Sequence, residues 1–289
     1  MTKLILSFKQ KTMVYYHTKL RNWIDPQKLN YDTLSRNPNP AIIPLIITNL
    51  DKVNWDRLSL NPYAIPILIE NLDKINWSLL SMNVNAIPIL INNFDKINWR
   101  LLSLNENAVF LLEINQDKID WDYLSANPKA IHLIEANPDK INWFQLSSNY
   151  NAIHILKANL DKIHWGMLAF NIRGIEILHY NKDKIYWHIL SENKNAVSMI
   201  KANQDKINWY MLSGNENAMD IIEANKDKIE WDTLSLNPSI FTYDYDEIKK
   251  NFKDLGEEII IKALHPKRLL RLMKEYGEDY IYQCYFDEF

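Results

Sequence analysis

The chain has 289 residues, 47% of them hydrophobic and 24% charged, which is the composition of an ordinary folded protein with material for one or two domains. A net charge of −3 argues against a dominant polyanion-binding surface, though a local basic stripe is compatible with it. The single cysteine, Cys284, cannot form an internal disulfide or a CxxC metal site and suits a reducing compartment. The apolar run KLILSF near the N-terminus is shorter than a signal-peptide core, and no stretch reaches the ~20 apolar residues of a membrane span; the chain reads as soluble and not secreted.

In chain order, residues 1–30 carry Leu4, Leu6, Phe8 and Trp23 and are expected to form an N-terminal cap. Residues 31–241 are a repeat array. Its tryptophans, Trp55, Trp77, Trp99, Trp121, Trp143, Trp165, Trp187, Trp209 and Trp231, follow one another at 22-residue intervals, and an earlier copy places Tyr31 at the Trp position and runs two residues longer. Counted from each Trp, Leu stands at +3 and Asn at +6, and in every full copy a further Asn stands at +16 and Asp-Lys at +18 and +19.

Asn76, with Ile75 before it and Leu80 after it, has the pattern of an N-cap with a hydrophobic staple, so Trp77 and Leu80 share the inner face of a short helix. NPYAIPIL at 61–68 predicts a second helix of roughly ten residues, capped by Asn61 and closed by Asn71 in the left-handed conformation. Pro66 and Pro88 conflict with that start and predict a late start or a kink. Helices this short are unstable alone. Stacking must stabilise them, which gives an all-α fold, an α-solenoid of about ten two-helix repeats with the tryptophans as core rungs and helical caps at both ends. A leucine-rich-repeat strand lacks its LxxLxLxxN signature here.

Residues 242–289 lose the pattern and are expected to form a C-terminal helical cap. Ile248, Phe252, Leu255 and Ile259 lie on one helical face, and Pro266 opens and Gly277 closes a last helix.

No Gly-rich phosphate loop, HExxH or GxSxG occurs, so no catalytic residue, cofactor site or metal site is assigned and the chain is expected not to be an enzyme. His132, His154 and Glu176 share the +11 column, but rungs ~10 Å apart are too far for one ion's ligands. The Asp-Lys ladder, Lys52 to Lys228, recurs at every rung and so suits structure better than recognition: Asp caps its turn, and Lys pairs with a neighbouring Asp or lies on a Trp face. Recognition belongs to columns that vary. The +1 column does so, and Phe144, His188 and Tyr210 on it are the candidate partner-binding residues, close to an irregular repeat in which Gly166 follows Trp165, Ala169 replaces Ser and Gly174 replaces Ala.

The repeat consensus LSxNPxAIxxLxxNxDKIxW, the NPSIF boundary at 237–241 and ALHPKRLLRLMKEYG at 263–277 resemble an uncharacterised repeat family encoded by large nucleocytoplasmic, mimivirus-like DNA viruses of protists. The resemblance implies a viral origin, a repeat scaffold, and a place in the host cytoplasm or the virion; it supplies no residue roles. The expectation is a non-enzymatic protein-interaction scaffold with a protein partner and no membrane. The alternative is a nucleic-acid-associated repeat protein using the Lys ladder and the stripe Lys267, Arg271 and Lys274.

Overall fold

The computed structural model describes residues 18–246, 248–250, 265–277 and 281. The N-caps fall where the sequence puts them. Asn54, Asn76, Asn98, Asp120, Asn142 and Asn208 are extended, and each side-chain oxygen accepts the N–H three residues on, satisfying one orphan donor of the first helical turn. They open first helices of four to six residues, such as Trp77–Leu80 and Trp143–Ser148.

The second helices start late, as at Ile65–Ile69 and Ile87–Ile91, and are five or six residues long rather than ten. Pro66 and Pro88 thus sit in the first turn, where no intrahelical N–H bond is lost. Two asparagine roles differ from expectation. Asn71 is not left-handed (φ −136°, ψ 52°); its Nδ2 closes the helix by donating to the Ile67 carbonyl at 2.9 Å, and no non-glycine residue among those described has positive φ. Asn61 caps no second helix; Ala64 stands at that position. From the second to the ninth repeat a third element follows the second helix, a three-residue 3-10 helix holding the Asp-Lys pair, as in Leu72–Lys74; in the first repeat Leu50–Lys52 is a turn.

Stacking buries the Leu column from Leu58 to Leu234 completely, together with Ala64, Ala86 and their equivalents. The tryptophans pack on this core but stay half-buried at its edge, and the ladder lysine at +19 lies over the ring of its own repeat, as Lys74 on Trp55 at 4.6 Å, Lys96 on Trp77 at 4.3 Å and Lys140 on Trp121 at 4.3 Å, whereas Lys184 is placed 3.9 Å from Asp183 instead. Of the two expectations for the lysines, ring stacking is the one realised. The Asp side chains of these 3-10 helices cap nothing.

Two hydrogen-bond ladders lock neighbours together. The buried Asn at +6 donates Nδ2 to two carbonyls of the preceding repeat, as Asn83 does to Ser59 and Asn61, both at 2.9 Å, while its Oδ1 accepts the N–H two residues on. The Ser at +4 donates to its own Trp carbonyl and accepts the N–H of the next N-cap, as Ser59 does from Asn76. Buried amides and hydroxyls are stable here because every polar atom is matched.

Both ladders continue from the last repeat into the first. Asn37 of the first repeat donates to Ser235 and Asn237 of the last, at 2.8 and 3.0 Å, and Asn30 N–H donates to Ser235 Oγ at 2.9 Å. Lys28 lies over Trp231 at 5.1 Å, in the same relation as Lys74 to Trp55 and Lys228 to Trp209. The stack is therefore a closed ring of ten repeats, marked by Asn37, Asn61, Asn83, Asn105, Asn127, Asn149, Asn171, Asn193, Asn215 and Asn237.

The tenth repeat is composite. Its first helix is Trp231–Leu234, but in place of a second helix it has strand β2, Phe241–Tyr243, paired antiparallel with β1, Thr18–Leu20; the N-terminal segment then supplies the 3-10 helix, Pro26–Lys28. Residues 18–30, expected to cover a free end, instead complete the last repeat. Trp23 Nε1 and Thr233 Oγ1, both buried without a hydrogen-bond partner, belong to this joined segment. At the C-terminus the helix Pro266–Tyr276 is present and Gly277 closes it at φ 96°. Phe252, Leu255 and Ile259, like Leu4, Leu6 and Phe8, lie outside the described residues.

One junction is thinner than the rest. Ala169 lacks the hydroxyl that accepts the next N–H, and Tyr186 makes no capping bond. Gly174 fits because a Cβ there would stand 2.8 Å from Leu168 Cδ1. Ala169→Ser is expected to restore the ladder bond and raise unfolding stability by about 1 kcal/mol in urea titrations; a loss of stability would show that the junction has no room for the hydroxyl.

Candidate functional site

The caps of the first helices form one rim of the ring, where the residue before each Trp meets the +1 residue of the preceding repeat. In regular repeats the pair is polar: Asn76 Nδ2 donates to Asp56 at 2.9 Å and Asn142 to Asp122 at 2.8 Å. At the closure Asn30 donates to Asp232 at 2.7 Å. Phe144, His188 and Tyr210 occupy the +1 side of this pair on the sixth, eighth and ninth repeats and are all exposed, Phe144 at 47% and Tyr210 at 56%.

The structure thus brings the three predicted residues onto one arc of one rim, joins to them Tyr186, a variable aromatic that the sequence already places near the irregular repeat, and adds His164, which the sequence reading missed. His164 stacks on Phe144 with centroids 4.5 Å apart, and Tyr186 tilts against His188 at 6.0 Å. His164 also caps its own helix, Nδ1 accepting the Met167 N–H at 3.1 Å, which fixes the ring beside Phe144. The signal for both was their substitution for the N-cap Asn. Gly166 interrupts the arc with a buried backbone. The nine tryptophans are placed differently from the arc, as structural residues packed on the core.

Other columns face the middle of the ring. In a closed ring only inward side chains can reach past an immediate neighbour. Tyr150 Oη donates to Glu106 Oε2 at 3.4 Å across two repeat intervals, and the Arg36 charge acts on Glu192 three intervals away through the closure. The +5 column, with Leu60, Met82 and Leu104 half-buried and Phe170, Glu192 and Arg36 more open, therefore lines the hole together with the +7 column. Here Lys194 and Glu216 pair at 2.7 Å.

Burial, and then Glu106, raise the Tyr150 pKa against the opposing charges of Arg173 and Lys194. Desolvation by the surrounding wall raises that of Glu192, and Arg36 offsets it in part. A raised carboxyl pKa costs stability above the folded value and nothing below the unfolded one. Glu192→Gln is accordingly expected to stabilise the ring at neutral pH, with the gain shrinking as pH falls through the carboxylate range. A gain independent of pH would assign the effect to packing.

The +11 column is paired rather than convergent. His132 Nε2 meets Glu113 at 2.8 Å, His154 meets Glu135 at 2.7 Å, and Lys157 meets Glu176 at 2.7 Å, each joining +14 of one repeat to +11 of the next. Among the described residues no three His, Cys, Asp or Glu side chains come together to hold a metal, and no helix is long and apolar enough to cross a membrane. The lysines of the ladder spend their charge on ring faces. No family model, no curated protein and no solved structure matches the chain.

Proposed function

We propose that the protein is a non-enzymatic scaffold of viral origin that binds a protein partner through the aromatic arc of its rim. The observation that carries this reading is the separation of duties around the ring. Positions that repeat build the core, ladders and closure, while the arc replaces a polar Asn–Asp rim pair with exposed aromatic rings at Phe144, His164, Tyr186, His188 and Tyr210. Aromatic side chains presented on a rigid frame suit partner anchoring, since little conformational entropy is lost on contact. The host cytoplasm or the virion is the setting that the sequence resemblance suggests.

A nucleic-acid role is favoured by one feature, the exposed cationic face of the C-terminal helix formed by Lys267, Arg271 and Lys274. The ladder lysines count against it, since all but Lys184 are held on the aromatic face at the Trp position of their repeat.

Two variants separate the readings. Replacing Phe144, His188 and Tyr210 together by alanine is expected to abolish capture of one defined protein from infected-cell lysate while leaving the circular dichroism spectrum and thermal midpoint nearly unchanged. Reversing Lys118, Lys140 and Lys162 is expected to lower stability through lost cation–π contacts, each worth about 0.5–1 kcal/mol at exposed sites, and to leave nucleic-acid affinity negligible. Loss of a strong, salt-sensitive DNA or RNA affinity from an intact lysine variant would reverse the assignment.

A further inference from the structure

The grooves between neighbouring repeats differ around the ring. Between the eighth and ninth repeats an open hollow of about 510 Å³ is lined by Lys201, Gln204, Trp209 and Asp220. The equivalent positions +14 and +17 in the first three repeats hold Ile47, Leu50, Ile69, Leu72, Ile91 and Phe94, all exposed, from 38% at Leu50 to 55% at Ile47. Where later junctions have Glu113–His132 or Lys157–Glu176, the third has Ile91 and Phe110 at the same two columns, both exposed. Two columns of exposed apolar side chains, the apolar sector, thus span three junctions and end where Glu113 begins the polar series. Patches of this kind on a folded surface mark contact sites.

Its border is acidic. Asp51, Asp73 and Asp95 follow Leu50, Leu72 and Phe94 directly, are exposed, and make no ion pair with any described residue. The lysines beside two of them do not neutralise them, because Lys74 and Lys96 lie on Trp55 and Trp77. An occupant must bring apolar surface flanked by cations.

The chain itself carries such an element. The helix Pro266–Tyr276 has four cations, Lys267, Arg268, Arg271 and Lys274, against the single carboxylate of Glu275. Lys267, Leu270, Arg271 and Lys274 follow helical spacing on one exposed face, with Leu270 64% exposed between the cations. Its 11 residues extend roughly 16 Å at 1.5 Å per residue, long enough to lie across neighbouring grooves ~10 Å apart. No described element of the ring packs closely on it.

We propose that the apolar sector is a homodimer interface occupied by the C-terminal helix of a second copy. Leu270 enters a groove between Leu72 and Ile91, and Lys267, Arg271 and Lys274 face the Asp51, Asp73 and Asp95 carboxylates. A second copy is the occupant because sector and helix face stand open at the same time within one chain. Two-fold symmetry then makes the contact reciprocal, with two helices on two sectors. This goes beyond the scaffold reading, and neither depends on the other.

Sedimentation velocity of the full chain from about 1 to 200 µM, a range that reports dissociation constants near the micromolar scale, is expected to show a shift from 34.3 kDa to twice that mass. Arg271→Glu with Lys274→Glu, and separately Asp73→Lys with Asp95→Lys, are each expected to weaken dimerisation at least tenfold. All four sites are exposed, so circular dichroism should not change. Mixing the two charge-reversed chains is expected to recover a heterodimer, since one chain's reversed helix then faces the other's reversed sector. The rim triple variant should dimerise as the native chain does, so failure of the rim reading leaves this result intact.

A monomer at every concentration overturns the proposal, as does a dimer indifferent to both pairs of changes, or no recovery on mixing. A monomer that instead binds a 20-base-pair DNA duplex through Arg271 and Lys274 also overturns it and assigns the cationic face to nucleic acid.

Discussion

A cysteine pair at Lys19 and Thr242, introduced with Cys284→Ser, is expected to form an intramolecular disulfide under mild oxidation, because these residues are direct partners in the β1–β2 register. The effect should be large. An open stack of ten repeats spaced ~10 Å apart would hold its ends ~100 Å apart, whereas the ring brings them within bonding reach. The cross-link would close a loop between positions 19 and 242, and loop-entropy bookkeeping gives about 5 kcal/mol of stabilisation for a span of that size. Non-reducing electrophoresis should show a faster monomer band, and denaturant unfolding with and without reductant should show the stability difference. Cross-links that form only between molecules would contradict closure.

Asn127→Ala should cost about 3 kcal/mol, because the Ser103 carbonyl and the Lys129 N–H are left unmatched at typically 1–3 kcal/mol each, less whatever local relaxation recovers, while the Asn105 carbonyl keeps the Ala108 N–H. Nδ2 donates to the carbonyls of Ser103 at 2.9 Å and Asn105 at 3.1 Å, and Oδ1 accepts the Lys129 N–H at 3.0 Å, all around a side chain with no exposed surface. Leucine at this position should do no better, since the carbonyls need donors rather than volume. Asn107 provides the control: its Nδ2 donates to Val84 at 2.9 Å but the residue is exposed, so water can replace it and Asn107→Ala should cost less than about 1 kcal/mol. Urea unfolding of both variants checks the contrast, and equal losses would mean that the buried ladder is not what holds neighbouring repeats together.

The period, the helical class, the core columns and the N-caps could be read from the sequence because their causes are local or strictly recurrent. A cap such as Asn76 bonds three residues ahead, and a column such as Leu58 to Leu234 declares its burial by returning unchanged. The same logic placed Phe144, His188 and Tyr210 outside the core columns, where they are exposed, and supplied half of the lysine account, because a cation and a ring recurring together invite stacking. It failed for the asparagines. At Asn61 the capping reading was locally sound, but the partners are carbonyls of the preceding repeat, Ser35 and Asn37, which no pattern within one repeat specifies.

Closure belongs to tertiary structure alone. Ten repeats meet only if each turns by about 36°, and that small rotation comes from packing between neighbours rather than from any residue type. The sequence held one clue: Lys28, Leu29, Asn30 and Tyr31 match Lys74, Ile75, Asn76 and Trp77, so the repeat pattern opens on the closing part of a repeat and stops after Asn237 with the opening part of another. Two partial repeats at opposite ends are what a ring needs at its joint. Only the packing angle decides that they meet, because the apolar end of the stack is buried either by a cap or by the other end of the same chain, and here β1, the Pro26–Lys28 turn and Asn37 reach the last repeat to do so.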